Sequence, residues 1–400
     1  MTARSDAPGR VLYVGQAYYN AWYLSRALRG LGWKADVLNW DPHPEAQIYF
    51  HGEDFRLEYG RFNVPRHLRF YLRAARNYDI FHFSNAHAMR FGNPLHDWVA
   101  RRFREGDEIR LLKRLGKKIV YTNNGCLDGV SQTSFAEWGE RPVCSDCPWR
   151  EMPSVCSDER NLAWGRFRNE MSDFQVLLGG NRADYNLDGR IHEVPEFYCL
   201  DPDFWHPDLM LPANYRLPFA EDTVTIYHAV GNASSRSQPR TFRNLKSTHV
   251  YLPLIEQLKQ AGHKVELIFF QDVPNRELRF YQAQADIVVD MLTYGFFGAG
   301  VREGMMLGKP VVCYLRPEWL EQMRAEIPDY ADELPIVSAT PETVRDVLVD
   351  LIEHPEKRRE IGRRSREFAL KWHSAEAAGR RFDAIYRGLL AGEPGTNDFR

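Results

Sequence analysis

The 400-residue chain has almost no charge imbalance: 52 Lys and Arg stand against 54 Asp and Glu, a formal balance of −2. A dedicated nucleic-acid binder carries a strong basic excess, so that class is excluded. Long apolar runs are also missing, and none approaches the ~20 residues of a membrane-crossing helix. The first residues, MTARSDAPGR, carry no small-residue cleavage region, and the first strand already starts at Val11. Together these absences lead to the expectation of a soluble cytoplasmic protein. Cysteine is scarce, six in all, and in that compartment disulfides are the less expected use of it. Low-complexity tracts are absent. What is present is ample core material: 44% hydrophobic and 13% aromatic residues exclude a disordered chain. The length suits two domains of about 200 residues.

The hydrophobic pattern gives an α/β class. Arg10 to Gly15 reads as a short apolar strand ending in glycine. Leu24, Ala27, Leu28 and Leu31 then recur at helical spacing, and Ala35 to Leu38 is a second strand. This βαβ opening places Gly15 where a Rossmann-like loop turns. Further strands are expected at Asp79 to Phe83, Lys118 to Thr122 and Phe174 to Leu178, giving a mostly parallel sheet covered on both faces. Prolines at 195, 202, 207, 212 and 218 mark an interdomain connection, since neither helix nor sheet interiors tolerate that density. A second domain restarts with strands at Thr223 to Ala229 and Lys264 to Phe270. Helices follow from His249 to Gln260 and from Thr340-Pro341, where N-cap and first-turn chemistry coincide. The expected division is 1–212, 213–375 and a final helical segment 376–400.

The densest chemical signal is 290–312, DMLTYGFFGAGVREGMMLGKPVV. An apolar run at 287–289 enters a loop with glycines at 295, 298 and 300. A short helix pattern follows from Val301 to Leu307, and Gly308 ends it. A glycine loop emptying into a helix start is an anion site, because free backbone N–H groups and the positive dipole end converge. Glu303, expected in the first helical turn, would accept hydrogen bonds from sugar hydroxyls. The implied ligand is a nucleotide-sugar diphosphate.

Gly295, seven intervening residues, then Glu303-Gly-Met-Met-Leu-Gly-Lys-Pro-Val-Val resembles the donor segment of the retaining glycosyltransferases of family four. Most members have a glutamate at both ends of that spacing. A subgroup with Asp, Gly-aromatic-aromatic-Gly and the second Glu is similar to Asp290, Gly295-Phe296-Phe297-Gly298 and Glu303. The resemblance implies the GT-B fold: two Rossmann-like domains across a cleft, with the last helix crossing back to the first domain. It implies retaining hexosyl transfer from a UDP- or GDP-type sugar, with no metal required for the transfer. Glu303 would hold the ribose. The Gly298, Ala299, Gly300 and Val301 backbone would cradle phosphate or sugar, with Gly295, Phe297 and Asn232 alongside. Arg243-x-x-Lys246 is similar to the family's Arg…Lys pair on the donor pyrophosphate. Ten residues separate Asn232 from Arg243, more than in many relatives, so Arg236 and Arg240 are alternative holders of the arginine's place. The first domain would hold an acceptor of unspecified identity through Gly15, Gln16, His87, Asn124 and Asp128. His82, inside a strand, reads as a core histidine.

Four cysteines fall at Cys126, Cys144, Cys147 and Cys156, spaced x17, x2 and x8. Cys144-x-x-Cys147 has metal-knuckle spacing, and four thiolates would complete a structural zinc shell. A redox-active CxxC with Cys126 as an ordinary buried residue is the alternative. Arg66, Arg69, Arg73 and Arg76 define a basic helix, either a solvated face or a peripheral membrane contact. Two other functions stay open at this level: a catalytically inactive GT-B-like scaffold, and a nucleotide-sugar epimerase, which would need a cluster of acid/base carboxylates.

Overall fold

The computed structural model describes residues 8–84, 88–136, 143–178, 191–238 and 241–393. Among them, strands β1 (Arg10–Val14), β2 (Lys34–Asn39), β3 (Phe55–Arg56), β4 (Ile80–Phe83), β5 (Lys118–Asn123), β6 (Phe174–Leu177) and β7 (Ile191–Glu193) make one sheet. Its order is β3-β2-β1-β4-β5-β6-β7, and every pairing is parallel. Strands β8 (Val224–Val230), β9 (Val265–Gln271), β10 (Ile287–Val289), β11 (Val311–Cys313) and β12 (Val337–Ser338) make a second parallel sheet, ordered β12-β11-β10-β8-β9. The protein is thus α/β, with two Rossmann-like domains.

Helices cover both faces of the first sheet, which is why β4 reads IFHF with every residue buried. His82 in β4 is satisfied by the Tyr386 hydroxyl at 2.7 Å and Thr122 at 2.7 Å. Burial pushes its pKa down to about 3, so it is a neutral core residue. Tyr386 belongs to the closing helix Ala375–Ala391, which packs on helix Asn20–Gly30 of the first domain. A Cβ at Gly379 would stand 2.9 Å from the Ala27 Cβ, so this helix pair meets at close range. Trp33 Nε1 donates to Asp383 at 2.6 Å, and the Tyr13 and Tyr386 hydroxyls meet at 3.0 Å.

The proline-rich connection is packed rather than loose. Leu200 N donates to the His373 carbonyl at 2.8 Å, and Ala375 N donates back to Leu200 O at 2.7 Å. Trp205 is fully buried, and its ring stacks on His51. One helix starts later than expected: Thr343 precedes Val344–Glu353, and Pro341 lies in the turn before it. Strands β3, β7 and β12, two or three residues each, are too short to show periodicity in sequence. Among the described residues no helix is long and apolar enough to cross a membrane. The arginines of helix Val64–Asn77 point outward while His67, Tyr71, Ala74 and Ala75 are buried.

Candidate active site

A cavity of about 410 Å³ opens between the two domains. Its walls come from segments that follow the carboxyl ends of β5, β6, β8, β9 and β10, where open parallel sheets bind ligands. The donor-side floor is the glycine loop. Gly295 has φ +81, and a Cβ there would meet the Arg316 Cβ at 2.6 Å. Gly295 therefore shapes the turn, and it does not line the cavity. Phe297, Gly298, Ala299 and Gly300 do line it. Val301 is wholly buried in the core and contributes no surface, although sequence reading grouped it with the cradle.

Lys246 reaches over this loop. Its Nζ donates to Asp290 Oδ1 at 2.6 Å, and a Cβ at Gly298 would come within 3.0 Å of the same ammonium. The missing side chain thus leaves a cation exposed at the start of helix Ala299–Met306. Asp290 is anchored in turn, because the Tyr251 hydroxyl donates to its carbonyl at 2.6 Å.

Glu303 lies in the second turn of that helix, not the first, and is 2% exposed. Its Oε1 accepts from the Tyr19 hydroxyl at 2.7 Å and Asn275 Nδ2 at 2.8 Å, and its Oε2 from Gln282 Nε2 at 2.7 Å. A carboxylate has about four acceptor sites, so roughly one remains for a ligand hydroxyl. Tyr19 lies in the first domain, which makes Glu303 a bridge across the cleft. His51 extends the bridge, joining Tyr23 at 2.7 Å to Asn275 at 2.8 Å.

Of the arginines weighed for the donor side, Arg243 lies off the cavity wall. Arg243 Nε donates to Asp146 at 2.8 Å, its side chain is half exposed, and it does not line the cavity. Asp146 belongs to the cysteine-bearing segment, so this pair ties that segment to the second domain. Arg236 occupies the cavity wall instead, beside the hydroxyls of Tyr18 and Tyr49. The long loop after Asn232 makes the exchange: Asn232 turns it with φ 54, a short helix Ala233–Arg236 follows, and Asn232 itself stays off the cavity wall.

On the first-domain side Asn124 and Asp128 both line the cavity, with different duties. Asp128 is 1% exposed. It accepts from Tyr121 at 2.5 Å, Trp164 Nε1 at 2.9 Å and Asn124 N at 2.6 Å. Those donors assign it to holding the loop. Asn124 donates Nδ2 to the Ser84 and Thr122 carbonyls, leaving its buried Oδ1 without a partner among the described residues. Gly15 and Gln16 do not line the cavity; Gln16 Nε2 donates to the Gly52 carbonyl at 3.0 Å. His87 and Arg240 lie outside the described residues.

Arg302 was not singled out in sequence, having no motif of its own. It is 3% exposed and donates to the Phe297 carbonyl at 2.8 Å and the Gly298 carbonyl at 3.2 Å. Its guanidinium lies 4.1 Å from the Tyr198 ring and 4.4 Å from the Phe297 ring. Arg302 therefore fixes the loop's carbonyls away from the cavity. Tyr49 Oη and Asp290 Oδ2 join Asn124 Oδ1 as buried cavity-lining atoms without a partner among the described residues. Such groups call for a polar ligand. The six cysteines are all free thiols. As placed, no three described His, Cys, Asp or Glu side chains form a metal site.

No family model and no curated protein matches this sequence. Solved structures do match over nearly the whole chain. Sucrose-phosphate synthase from Thermosynechococcus elongatus is 15% identical over 96% of this chain and 99% of that one, with a TM-score of 0.58. HepE of Anabaena in complex with UDP-glucose is 11% identical over 96% and 100%, with a TM-score of 0.55. WaaG, a glycosyltransferase involved in lipopolysaccharide biosynthesis, is 12% identical over 96% and 100%, with a TM-score of 0.53. At these identities the likeness establishes the fold, the GT-B arrangement of two Rossmann-like domains about a cleft.

Proposed function

We propose that this protein is a retaining glycosyltransferase, moving a hexose from a nucleoside-diphosphate sugar to an acceptor in the cleft. One observation carries the reading: Lys246, held by Asp290, stands over the open backbone of Gly298 at the start of helix Ala299–Met306. An ammonium, free amide groups and a positive dipole end at one point suit a diphosphate. HepE, similar in fold, was solved with UDP-glucose, which supports a nucleotide sugar as the donor.

In this reading the bond from the anomeric carbon to the diphosphate oxygen breaks as the acceptor oxygen attacks from the same face. The acceptor proton passes to the departing phosphate oxygen. Lys246 and Arg236 neutralise the charge that grows on the diphosphate, the main need of such a step. Glu303 takes a ribose hydroxyl on its remaining acceptor site, and Asn124 Oδ1 accepts from the sugar acceptor. No separate base is required, which agrees with the carboxylates lining the cavity. Asp128, Asp272, Asp290 and Glu303 are each already engaged by a protein donor. No divalent metal takes part in the transfer.

The test is proton NMR of purified protein with UDP-, GDP- and TDP-hexoses in water. A transferase leaks sugar to water slowly, and retention gives the donor's own anomer first. Absence of hydrolysis with every donor would favour a scaffold, and the opposite anomer would rule out retention.

A further inference from the structure

Residues 48–51 of the first domain are docked on the second. Asn275 N donates to the Ile48 carbonyl at 2.8 Å, and His51 Nε2 donates to Asn275 Oδ1 at 2.8 Å. Tyr49 stands between these two anchors. Its hydroxyl lies against Gly231, the residue after β8, where a Cβ would come within 1.9 Å of Tyr49 Oη. Only glycine leaves that space, and both residues line the cavity. The Tyr18 ring meets the Tyr49 ring edge to face, with centroids 5.0 Å apart. Tyr18 holds a left-handed backbone, φ 56, which is uncommon for a bulky residue.

Two hydrogen bonds, a ring contact and a glycine thus deliver one hydroxyl to the cavity. That hydroxyl is buried and has no partner among the described residues. A buried hydroxyl left unpaired destabilises the free protein, so its placement calls for a ligand. Burial also holds the phenol above its ordinary pKa range, so the oxygen keeps its proton and can donate it. The missing partner is therefore an acceptor. Arg236 ends the short helix after Asn232 and lines the same cavity as a cation. An oxygen carrying negative charge satisfies hydroxyl and guanidinium together.

We propose that Tyr49 is a donor-binding residue supplied by the first domain, its hydroxyl donating to an anionic oxygen of the diphosphate beside Arg236. The inference rests on reading the cavity as a nucleoside-diphosphate sugar site. The diphosphate is then held from both domains, by Lys246 and Arg236 of the second and by Tyr49 of the first. The Tyr49 hydrogen bond strengthens as charge grows on the departing phosphate, so Tyr49 serves the transfer as well as binding.

The test is calorimetric titration of full-length wild type and Tyr49→Phe. The probes are the nucleoside and the nucleoside diphosphate of whichever base the wild type binds among uridine, guanosine, adenosine and thymidine. Tyr49→Phe should weaken diphosphate binding about tenfold or more and nucleoside binding less than about twofold. Urea unfolding without ligand supplies the second readout. The lost hydroxyl bonds no described residue, so the Tyr49→Phe midpoint should equal or exceed that of wild type. A lowered midpoint would make Tyr49 a structural group and overturn the proposal. Equal diphosphate affinity in the two proteins, or the same loss for nucleoside and diphosphate, would overturn it while leaving the donor site in place. Binding of no nucleoside diphosphate by folded wild type would remove the donor reading itself, and this inference with it.

Discussion

On one side of the cavity stand Gly298, Ala299 and Gly300; on the other stand Cys147, Pro148 and Trp149. The first wall is largely backbone, fixed from behind by Arg302 and backed by a core helix. The second is largely side chain, on a segment held by Asp128 and by one ion pair across the cleft. The difference follows from what each wall meets. On the proposed reading, phosphates common to every donor are held by amides, which constrains the residues that expose those amides. The acceptor would be read by shape, which leaves its wall free to be built from unusual parts.

The sharpest way to break this comparison is Lys246→Ala. Loss of one cation placed where charge develops should lower kcat/KM by roughly 10²–10³-fold, measured with saturating acceptor. A loss below tenfold would move the diphosphate away from the glycine loop. On the opposite wall, Asp128→Ala strands the Tyr121 and Trp164 donors and should cost about 3 kcal/mol of stability in urea unfolding. Little change there would mean that Asp128 serves a ligand rather than the loop.

The two arginines divide next. Arg236→Ala removes a charged contact worth about 1.5–3 kcal/mol and should weaken nucleotide binding by about 10- to 100-fold. Arg243→Ala breaks a half-exposed pair worth about 0.2–1 kcal/mol and should change binding by less than about fivefold. Calorimetry on both variants decides the assignment, and equal losses would restore Arg243 to the donor site.

Acid sensitivity accumulates gradually, over several pH units. His51 bridges the domains and His82 sits within one. Burial depresses both pKa values to about 3 from the ordinary 6.5, and Arg276 and Arg279 add to it at His51, against the hydrogen bond that His51 Nε2 donates to Asn275 Oδ1. Each histidine binds its proton more readily in the unfolded chain. Their contribution is therefore complete above pH 6.5 and is lost as pH falls towards 3, at about 1.4 kcal/mol per pH unit for each. Urea titrations at stepped pH should show His51→Gln with a shallower slope than wild type over that window.

The sequence analysis reached the α/β class and the two Rossmann-like units because buried parallel strands write continuous apolar runs and helices write a 3.6-residue period. Strands β3, β7 and β12 left no such trace. At the site, the run of glycines marked Gly298 to Gly300 because backbone exposure demands a recognisable residue type. The place of Arg236 on the cavity wall was legible only as an alternative marked by the long ten-residue loop; choosing it over Arg243 depends on how far that loop folds back and on Asp146, remote in sequence. Arg302, Tyr19 and His51 act through contacts made only in three dimensions. Val301 shows the converse: it lies among cradle residues in sequence, but helical rotation turns it into the core.

The most direct measurement is calorimetric titration of wild type, Lys246→Ala and Arg243→Ala with UDP, GDP, ADP and TDP. One nucleotide should bind wild type and Arg243→Ala with similar affinity and bind Lys246→Ala far more weakly. Binding of none of the four to the folded wild type, or binding that ignores Lys246, would contradict a diphosphate site on the glycine loop.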